Sequence, residues 1–595
     1  MGNTSFTIIQ MAVGQLVEDI RSGRTGLPDL QRPFVWKDNK IRDLFDSMLK
    51  GYPIGYVMLW ESPDNYDDRK HSIGENKKTF AVPKSLVIDG QQRLTALLAA
   101  IYGVKGKNKD YGEREVKIAY NPLTREFAVW TKAYERSPEW FDRVSVIFNA
   151  DERKTLISLR KSFIKNLNEN REKKGAPRLT EQEEEEIENN INALLGLLNY
   201  TLPTLEIKRD TDEEAVADIF VRVNSGGQSL TENNFIQTLI SVYENETSDR
   251  INEFAQASRI PAKGTSYNNI LALEPSHLIR MAVGVGFRRA RLRYAYMLLR
   301  GKDLEAGVIS EETRKKNLDT FKEALGKVMD LNNWHAFLNI VAEAGYVSNK
   351  LIASENAVVF SYVLYLIAKY DYKLNAAQLS TLIRKWFFAS TITSFYTGST
   401  EAEVEKQFAD LRNVSSAESF IAYIDNVLAT RFTNDYFSVT LPKELDTSSA
   451  ISPAWNGYVA AQIVLHVDLL FGNTPIRDYF MPGTSGSKNS IDKHHIFPKN
   501  YLTSIGISTN RERNQIANFA YISYAKNIAI SDSSPREYIP RYREKLGQQA
   551  FNDTCRMHAL PPDFENMDYL EFLQKRRILM AEIVREAYNR LCCTQ

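Results

Sequence analysis

Two adjacent histidines stand in Ile491-Asp492-Lys493-His494-His495-Ile496-Phe497-Pro498-Lys499, just after the loop-like Gly483-Thr484-Ser485-Gly486-Ser487. Read as a strand, this run sends His494 and His495 to opposite faces. One can then hold a metal while the other reaches a substrate. Neutral imidazole binds divalent metals, and its pKa permits proton transfer near pH 7. Downstream, Asn518 and Asn527 stand nine positions apart in Asn518-Phe519-Ala520-Tyr521-Ile522-Ser523-Tyr524-Ala525-Lys526-Asn527, the first leading into an apolar, strand-like run. The plainer account is a histidine pair in a buried strand, satisfied by backbone groups.

A second chemical locus is Leu86-Val87-Ile88-Asp89-Gly90-Gln91-Gln92-Arg93-Leu94. A short apolar strand meets a glycine turn and a helix begins, which offers backbone N–H groups and a helix dipole to an anion. Asp89 could hold a metal or a sugar hydroxyl, Gln91 and Gln92 can donate amide hydrogens, and Arg93 offers a bidentate fork for phosphate. A strand–turn–helix with an Asp cap needs no ligand at all. Two further blocks flank it: Gln31-Arg32-Pro33-Phe34-Val35-Trp36, and Ile219–Leu230 with a Phe-x-Arg-x-Asn-x-x-Gly pattern through Arg222 and Asn224. The second supplies another arginine and a Gly-rich turn that could close over phosphate.

The carboxyl-terminal pattern resembles the HNH (His-Me finger) nuclease motif. That resemblance implies a ββα-metal fold with His495 as general base, His494 and Asn527 as metal ligands, and Asn518 bracing the loop of the catalytic site. His494 stands where many such domains carry Asp or Glu, and the interval from His495 to Asn518 is long. The Asp-Gly-Gln-Gln-Arg string resembles the ParB-like DGQQR signature of GmrSD-type restriction enzymes. The other two blocks follow that family's order. This implies binding and hydrolysis of a nucleoside triphosphate, with Asp89, Gly90, Gln91, Gln92, Arg93, Arg32, Arg222 and Asn224 at the nucleotide.

Together the two resemblances imply a GmrSD-type, type IV modification-dependent restriction endonuclease in one chain. Its substrate would be double-stranded phage DNA carrying modified bases such as hydroxymethylated or glucosylated cytosine. Its cofactors would be Mg²⁺ or Mn²⁺ and a nucleoside triphosphate. A nuclease sensing phosphorothioate-modified DNA is a second reading. A nucleotide-dependent DNA-binding clamp with an inactive nuclease domain is a third.

The elements that must position these residues give an α+β, mostly helical chain: a ParB-like α/β domain over 1–240, a helical scaffold over 241–430, and the nuclease domain over 431–595. The spacing predicts a helix over Ile8–Ile20, a helix over Lys40–Lys50 and a strand over Ile54–Trp60. A charged helical hairpin is expected over Lys154–Gly196. Ala357–Ala368 reads as a buried helix, and Thr400-Glu401-Ala402-Glu403 reads as a capping box. The run Phe287–Tyr294 carries four arginines. As a helix it could track a phosphate backbone, or pair with acidic segments such as Glu181–Glu188. Pro453–Phe471 is expected to pack as a helix on the histidine motif. Asp568–Leu591 reads as an amphipathic helix, its apolar side including Tyr569, Phe572, Ile578 and Ile583, with Lys575, Arg576 and Arg577 on a solvated face.

Composition sets the outer bounds. Charged residues make up 25% and hydrophobic ones 43%, ordinary for globular material. The net charge of +1 carries no global nucleic-acid signature. From Gly486 to Lys545, however, ten Lys/Arg face five Asp/Glu, which suits a local DNA surface. Three cysteines form neither a disulfide framework nor a CxxC zinc pair. With no apolar run long enough for a membrane and no signal-like start at Met1–Phe6, a cytoplasmic protein is expected. Homo-oligomerisation is open.

Overall fold

The computed structural model describes residues 5–26, 36–62, 83–107, 113–149, 153–211, 245–259, 268–299, 310–481 and 491–593, with isolated positions in 215–240 and 301–308. The chain packs as two compact units, residues 1–252 and 253–595. The first is α+β around a small mixed sheet, and the second is mostly helical.

The sheet of the first unit contains β1 (Phe6–Ala12), β2 (Thr25–Gly26), β3 (Val57–Glu61), β4 (Ser85–Asp89) and β5 (Thr201–Ile207) in the order β1-β5-β3-β4-β2. β1 runs antiparallel to β5, β3 parallel to β5 and antiparallel to β4, and β2 parallel to β4. Alternation along β3 and β4 divides the apolar residues between two faces. Val57, Leu59 and Val87 join the main core with α1 (Val13–Arg21), α2 (Asp38–Leu49) and α3 (Gln91–Tyr102). Met58, Trp60 and Leu86 build a smaller cluster on the other face.

The helix expected over Ile8–Ile20 is two elements. The segment to Ala12 is the edge strand β1, and only Val13–Arg21 is helical. The β-branched run Thr7-Ile8-Ile9 pairs with Glu206, Leu205 and Thr204 across the ladder, and tertiary pairing overrides the apparent helical period. The charged hairpin forms as expected, from α4 (Arg153–Lys173) and α5 (Glu181–Leu195). Thr180 and Glu183 close a reciprocal capping box at the start of α5.

In the second unit, α6 (Pro275–Phe287) and α7 (Leu292–Leu299) replace the continuous arginine-bearing helix. Arg288 breaks it with a φ of 53°. Arg288 is ion-paired with Asp371, and Arg289 with Glu405 at 2.7 Å, so these two cations find acidic partners within their own unit. α8 (Glu355–Tyr370) is the buried helix expected, with Ala357–Ala368 inside. α9 (Thr400–Leu411) begins one residue earlier than the expected capping box places it: Ser399 rather than Thr400 is the N-cap, no side chain caps the helix, and Thr400 is buried.

α10 (Pro453–Val464) stops short of Phe471, and the chain turns through His466 and Phe471, both at positive φ. The remaining elements build the histidine site: β6 (Ile491–His495), α11 (Lys499–Ser504), α12 (Asn510–Arg513), β7 (Phe519–Ser523), α13 (Tyr524–Ile530), α14 (Pro535–Leu546) and α15 (Tyr569–Cys592). Trp455 of α10 packs on Phe519 and Tyr521 of β7, with ring centroids 6.1 and 6.0 Å apart. Among the described residues no helix is long and apolar enough to cross a membrane.

Candidate active site

β6 and β7 pair antiparallel, with His494 opposite Ala520 and His495 opposite Phe519. As the chain leaves β6, Asn518 catches it. Its Oδ1 accepts from Phe497 N at 2.8 Å and its Nδ2 donates to Phe497 O at 3.0 Å. Ile496 N adds a bond to Asn518 O at 2.9 Å. Asn518 is fully buried, so its amide has to be satisfied by such partners. After β7 the chain turns directly into α13. The first turn of that helix carries Asn527 back to β6, where its Oδ1 lies 2.7 Å from His494 Nδ1.

His495 faces the other way. Its Nε2 meets Asn514 Oδ1 at 3.0 Å, and its ring stands edge-on to Phe519 at 4.8 Å. An amide oxygen only accepts hydrogen bonds. With Asn514 Oδ1 as the acceptor, Nε2 of His495 would carry the proton and Nδ1 would keep a lone pair. By the same reasoning His494 donates from Nδ1 to Asn527. Its Nε2 is buried with no hydrogen-bond partner among the described residues.

Burial pushes both imidazoles down to about 4. For His494 the bond to Asn527 opposes that shift, while His495 and Arg576 add to it. For His495 the bond to Asn514 opposes it, and the cations Lys499, Lys493 and Arg513 reinforce it. Both rings are thus neutral at pH 7, the form required of a ligand and of a general base.

His494 and Asn527 suit a divalent ion. The Nδ1 side of His494 and the Asn527 amide oxygen lie close enough for both to hold one cation, provided the ring's proton moves from Nδ1 to Nε2. Among the described residues no three His, Cys, Asp or Glu side chains converge as a metal cluster. Water and phosphate oxygens would complete the shell, as they do for Mg²⁺ at phosphoryl sites.

In the first unit, the turn from β4 to α3 is the strand–glycine–helix junction expected. Gly90 has a φ of 92°, and a Cβ there would meet Val57 Cγ2 at 3.2 Å. Gly90 N donates to Asp89 Oδ1 at 2.7 Å. Gln91 Nε2 turns back to Val87 O at 3.0 Å. Arg93 is largely buried, which lowers its pKa against the opposing field of Asp89. Its Nη1 donates to Tyr56 O at 2.6 Å, and its guanidinium fills the space a side chain at Gly55 would need. Asp89, Gly90, Gln91, Gln92 and Arg93 share this turn. Arg32, Arg222 and Asn224 lie outside the described residues, so their place beside it is an expectation only.

Residues 13–241 match the family model of the GmrSD restriction endonuclease, N-terminal domain. This GmrSD-type match spans the β4–α3 turn and supports a GmrSD-like restriction endonuclease, an enzyme whose partner is DNA. The whole chain is also similar to the uncharacterized protein MJ0686 of Methanocaldococcus jannaschii, 24% identical over 97% of this chain and 95% of that protein. The histidine site lies beyond the GmrSD-type segment, so its reading rests on geometry.

Several residues of that geometry escape a sequence reading. Asn514 is one, because its link to His495 spans 19 positions that include α11 and α12. Tyr538 of α14 is another: its hydroxyl donates to Ile496 O at 2.8 Å, directly after the histidines. The basic trio of α15 corrects its expectation. Lys575 is half exposed, but Arg576 is fully buried and donates to Ala517 O, Phe519 O and His558 O. Arg577 pairs with Asp446 at 2.6 Å and donates to Gln515 at 3.0 Å. Tyr569, Phe572 and Ile583 are buried as expected, whereas Ile578 is exposed.

Proposed function

We propose that this chain is a nucleotide-regulated, metal-dependent DNA endonuclease whose carboxyl-terminal strands and α13 act as a ββα-metal (HNH) finger. One observation carries the reading: His494 and Asn527 converge at 2.7 Å beside His495, whose Nε2 meets Asn514 Oδ1 at 3.0 Å. His494 and Asn527 would hold the divalent ion. When bound, that ion supplies Lewis-acid stabilisation of the scissile phosphate and its leaving oxygen. His495 would accept a proton at Nδ1 from a water. The water oxygen then bonds to phosphorus while the bond to one ester oxygen breaks, and that oxygen leaves with a proton from solvent. Asn518 contributes by fixing the exit of β6.

The GmrSD-type amino-terminal match supports the remaining parts of the proposal: a type IV enzyme of antiviral defence, acting on modified phage DNA and binding and hydrolysing a nucleoside triphosphate at Asp89–Arg93. Nucleotide state there would gate cleavage, and equal cutting by wild type and Arg93→Ala with and without nucleotide would rule the gating out. The broader test incubates the protein with Mg²⁺ and a nucleoside triphosphate on unmodified, hydroxymethylated, glucosylated and phosphorothioated DNA, with His495→Ala as control. Cutting confined to a base-modified substrate and lost in the variant is expected. Cutting confined to phosphorothioated DNA would move the substrate assignment, and no cutting at all would remove the nuclease.

A further inference from the structure

The interval from His495 to Asn518 is occupied by α11, α12 and their connections, and Asn514 caps the carboxyl end of α12. From there its Oδ1 reaches His495 Nε2 at 3.0 Å. The rest of the segment is held from several sides. Tyr569 of α15 donates to Glu512 O at 2.8 Å, and Arg513 bonds Thr503 Oγ1 at 2.8 Å and Asn510 Oδ1 at 3.1 Å. Asn518 Nδ2 donates to Arg513 O at 3.3 Å, and Arg577 fixes the Gln515 side chain. The residues on both sides of Asn514 are therefore tethered, one by its carbonyl and the other by its side chain.

We propose that Asn514 is a positioning residue for His495, held by the carboxyl-terminal helix so that its amide oxygen keeps the imidazole in the Nε2–H tautomer with Nδ1 free to accept a proton. The imidazole has two near-equivalent tautomers, and only an acceptor fixed on one nitrogen selects between them. A carboxylate there would also select the tautomer but would favour the charged ring. The amide oxygen orients the ring without adding charge. The long interval thus delivers an amide acceptor that the two strands cannot supply. In this role Asn514 acts through His495.

The catalytic part of this inference rests on the nuclease reading, but the tautomer part does not. Two measurements separate them. Histidine-selective ¹⁵N labelling of the full chain, with long-range ¹H–¹⁵N correlation and His495→Gln to assign the ring, reads the tautomer whether or not the protein cuts DNA. Wild type is expected to show a protonated Nε2 and a bare Nδ1. Asn514→Leu should show a mixture, and Asn514→Asp, which keeps the acceptor, should restore one tautomer at a pH where the ring is neutral. A wild-type ring protonated at Nδ1, or a ring unchanged in Asn514→Leu, would overturn the proposal.

On whichever DNA the wild type cuts, Asn514→Leu should lower kcat about 10- to 100-fold with KM for DNA little changed. The same substitution in the His495→Ala background should cost nothing further, because residues acting through one group are not additive. A further loss in that background would show that Asn514 acts elsewhere. Wild-type DNA left uncut, with the expected ring spectra, would leave the tautomer assignment standing and sink the nuclease reading alone.

Discussion

At the scale of single residues, the fully buried Arg576 does the most to hold the site together. Its guanidinium donates to carbonyls on both sides of Asn518 (Ala517 and Phe519) and to His558 O, and none of these three acceptors is a carboxylate. Such a charge is tolerated because both terminal nitrogens donate, although Nε has no hydrogen-bond partner among the described residues, and deleting the side chain would strand the carbonyls away from water. Arg576→Met should therefore destabilise the carboxyl-terminal unit by about 3–5 kcal/mol, with Arg576→Lys recovering part of the loss. Urea unfolding followed by Trp455 emission checks this. A loss below about 1 kcal/mol would mean the carbonyls find other donors. Nothing in the sequence marks Arg576 as interior. It stands between Lys575 and Arg577, and a charged trio reads as a solvated face until the neighbouring carbonyls are known. That His494, His495, Asn518 and Asn527 come together is legible because their order and residue types match a known pattern. Asn514 is not, because asparagine in a polar loop has no signature.

At the scale of elements, the site depends on how closely α10 can approach its neighbours. Gly345 follows the helix Leu331–Glu343 with a φ of 87°, and a Cβ on it would lie 2.2 Å from Ala460 O of α10. A side chain there would have to displace the backbone of the helix whose Trp455 packs on β7. Gly345→Ala is expected to cost about 2–4 kcal/mol, combining left-handed strain with overpacking. A melting temperature equal to wild type would show that α10 can yield. The helical period finds long, continuous elements well, among them α8 around Ala357–Ala368 and the α4–α5 hairpin. It fails at boundaries set by tertiary contacts: at β1, recruited to the sheet edge by β5, and at Arg288, where ion pairs of Arg288 to Asp371 and of Arg289 to Glu405 accompany the break.

At the scale of the whole molecule, acid should act first on the carboxyl-terminal unit. His558 is buried, donates from Nε2 to Asp468 O at 2.9 Å, and is pushed down to about 4 by burial and by Arg576. Its pKa in the unfolded chain is about 6.5. Between those values the unfolded state binds the extra proton, so stability is fully present above about pH 6.5 and is lost as pH falls toward 4. The slope from this one group is at most about 1.4 kcal/mol per pH unit. His494 and His495 carry the same sign. His558→Asn, which can keep a donor to Asp468, should give a shallower loss of urea resistance from pH 7 to pH 5. Parallel curves would contradict the assignment. The central claim is tested most directly by single-turnover cleavage over a range of Mn²⁺ concentrations, comparing wild type, His495→Ala and Asn527→Ala. His495→Ala should lose about 10²–10⁴ in rate at every metal concentration. Asn527→Ala should need about tenfold or more metal to reach its maximum. A His495→Ala protein that cuts at the wild-type rate, or an Asn527→Ala protein with unchanged metal dependence, would contradict the nuclease assignment.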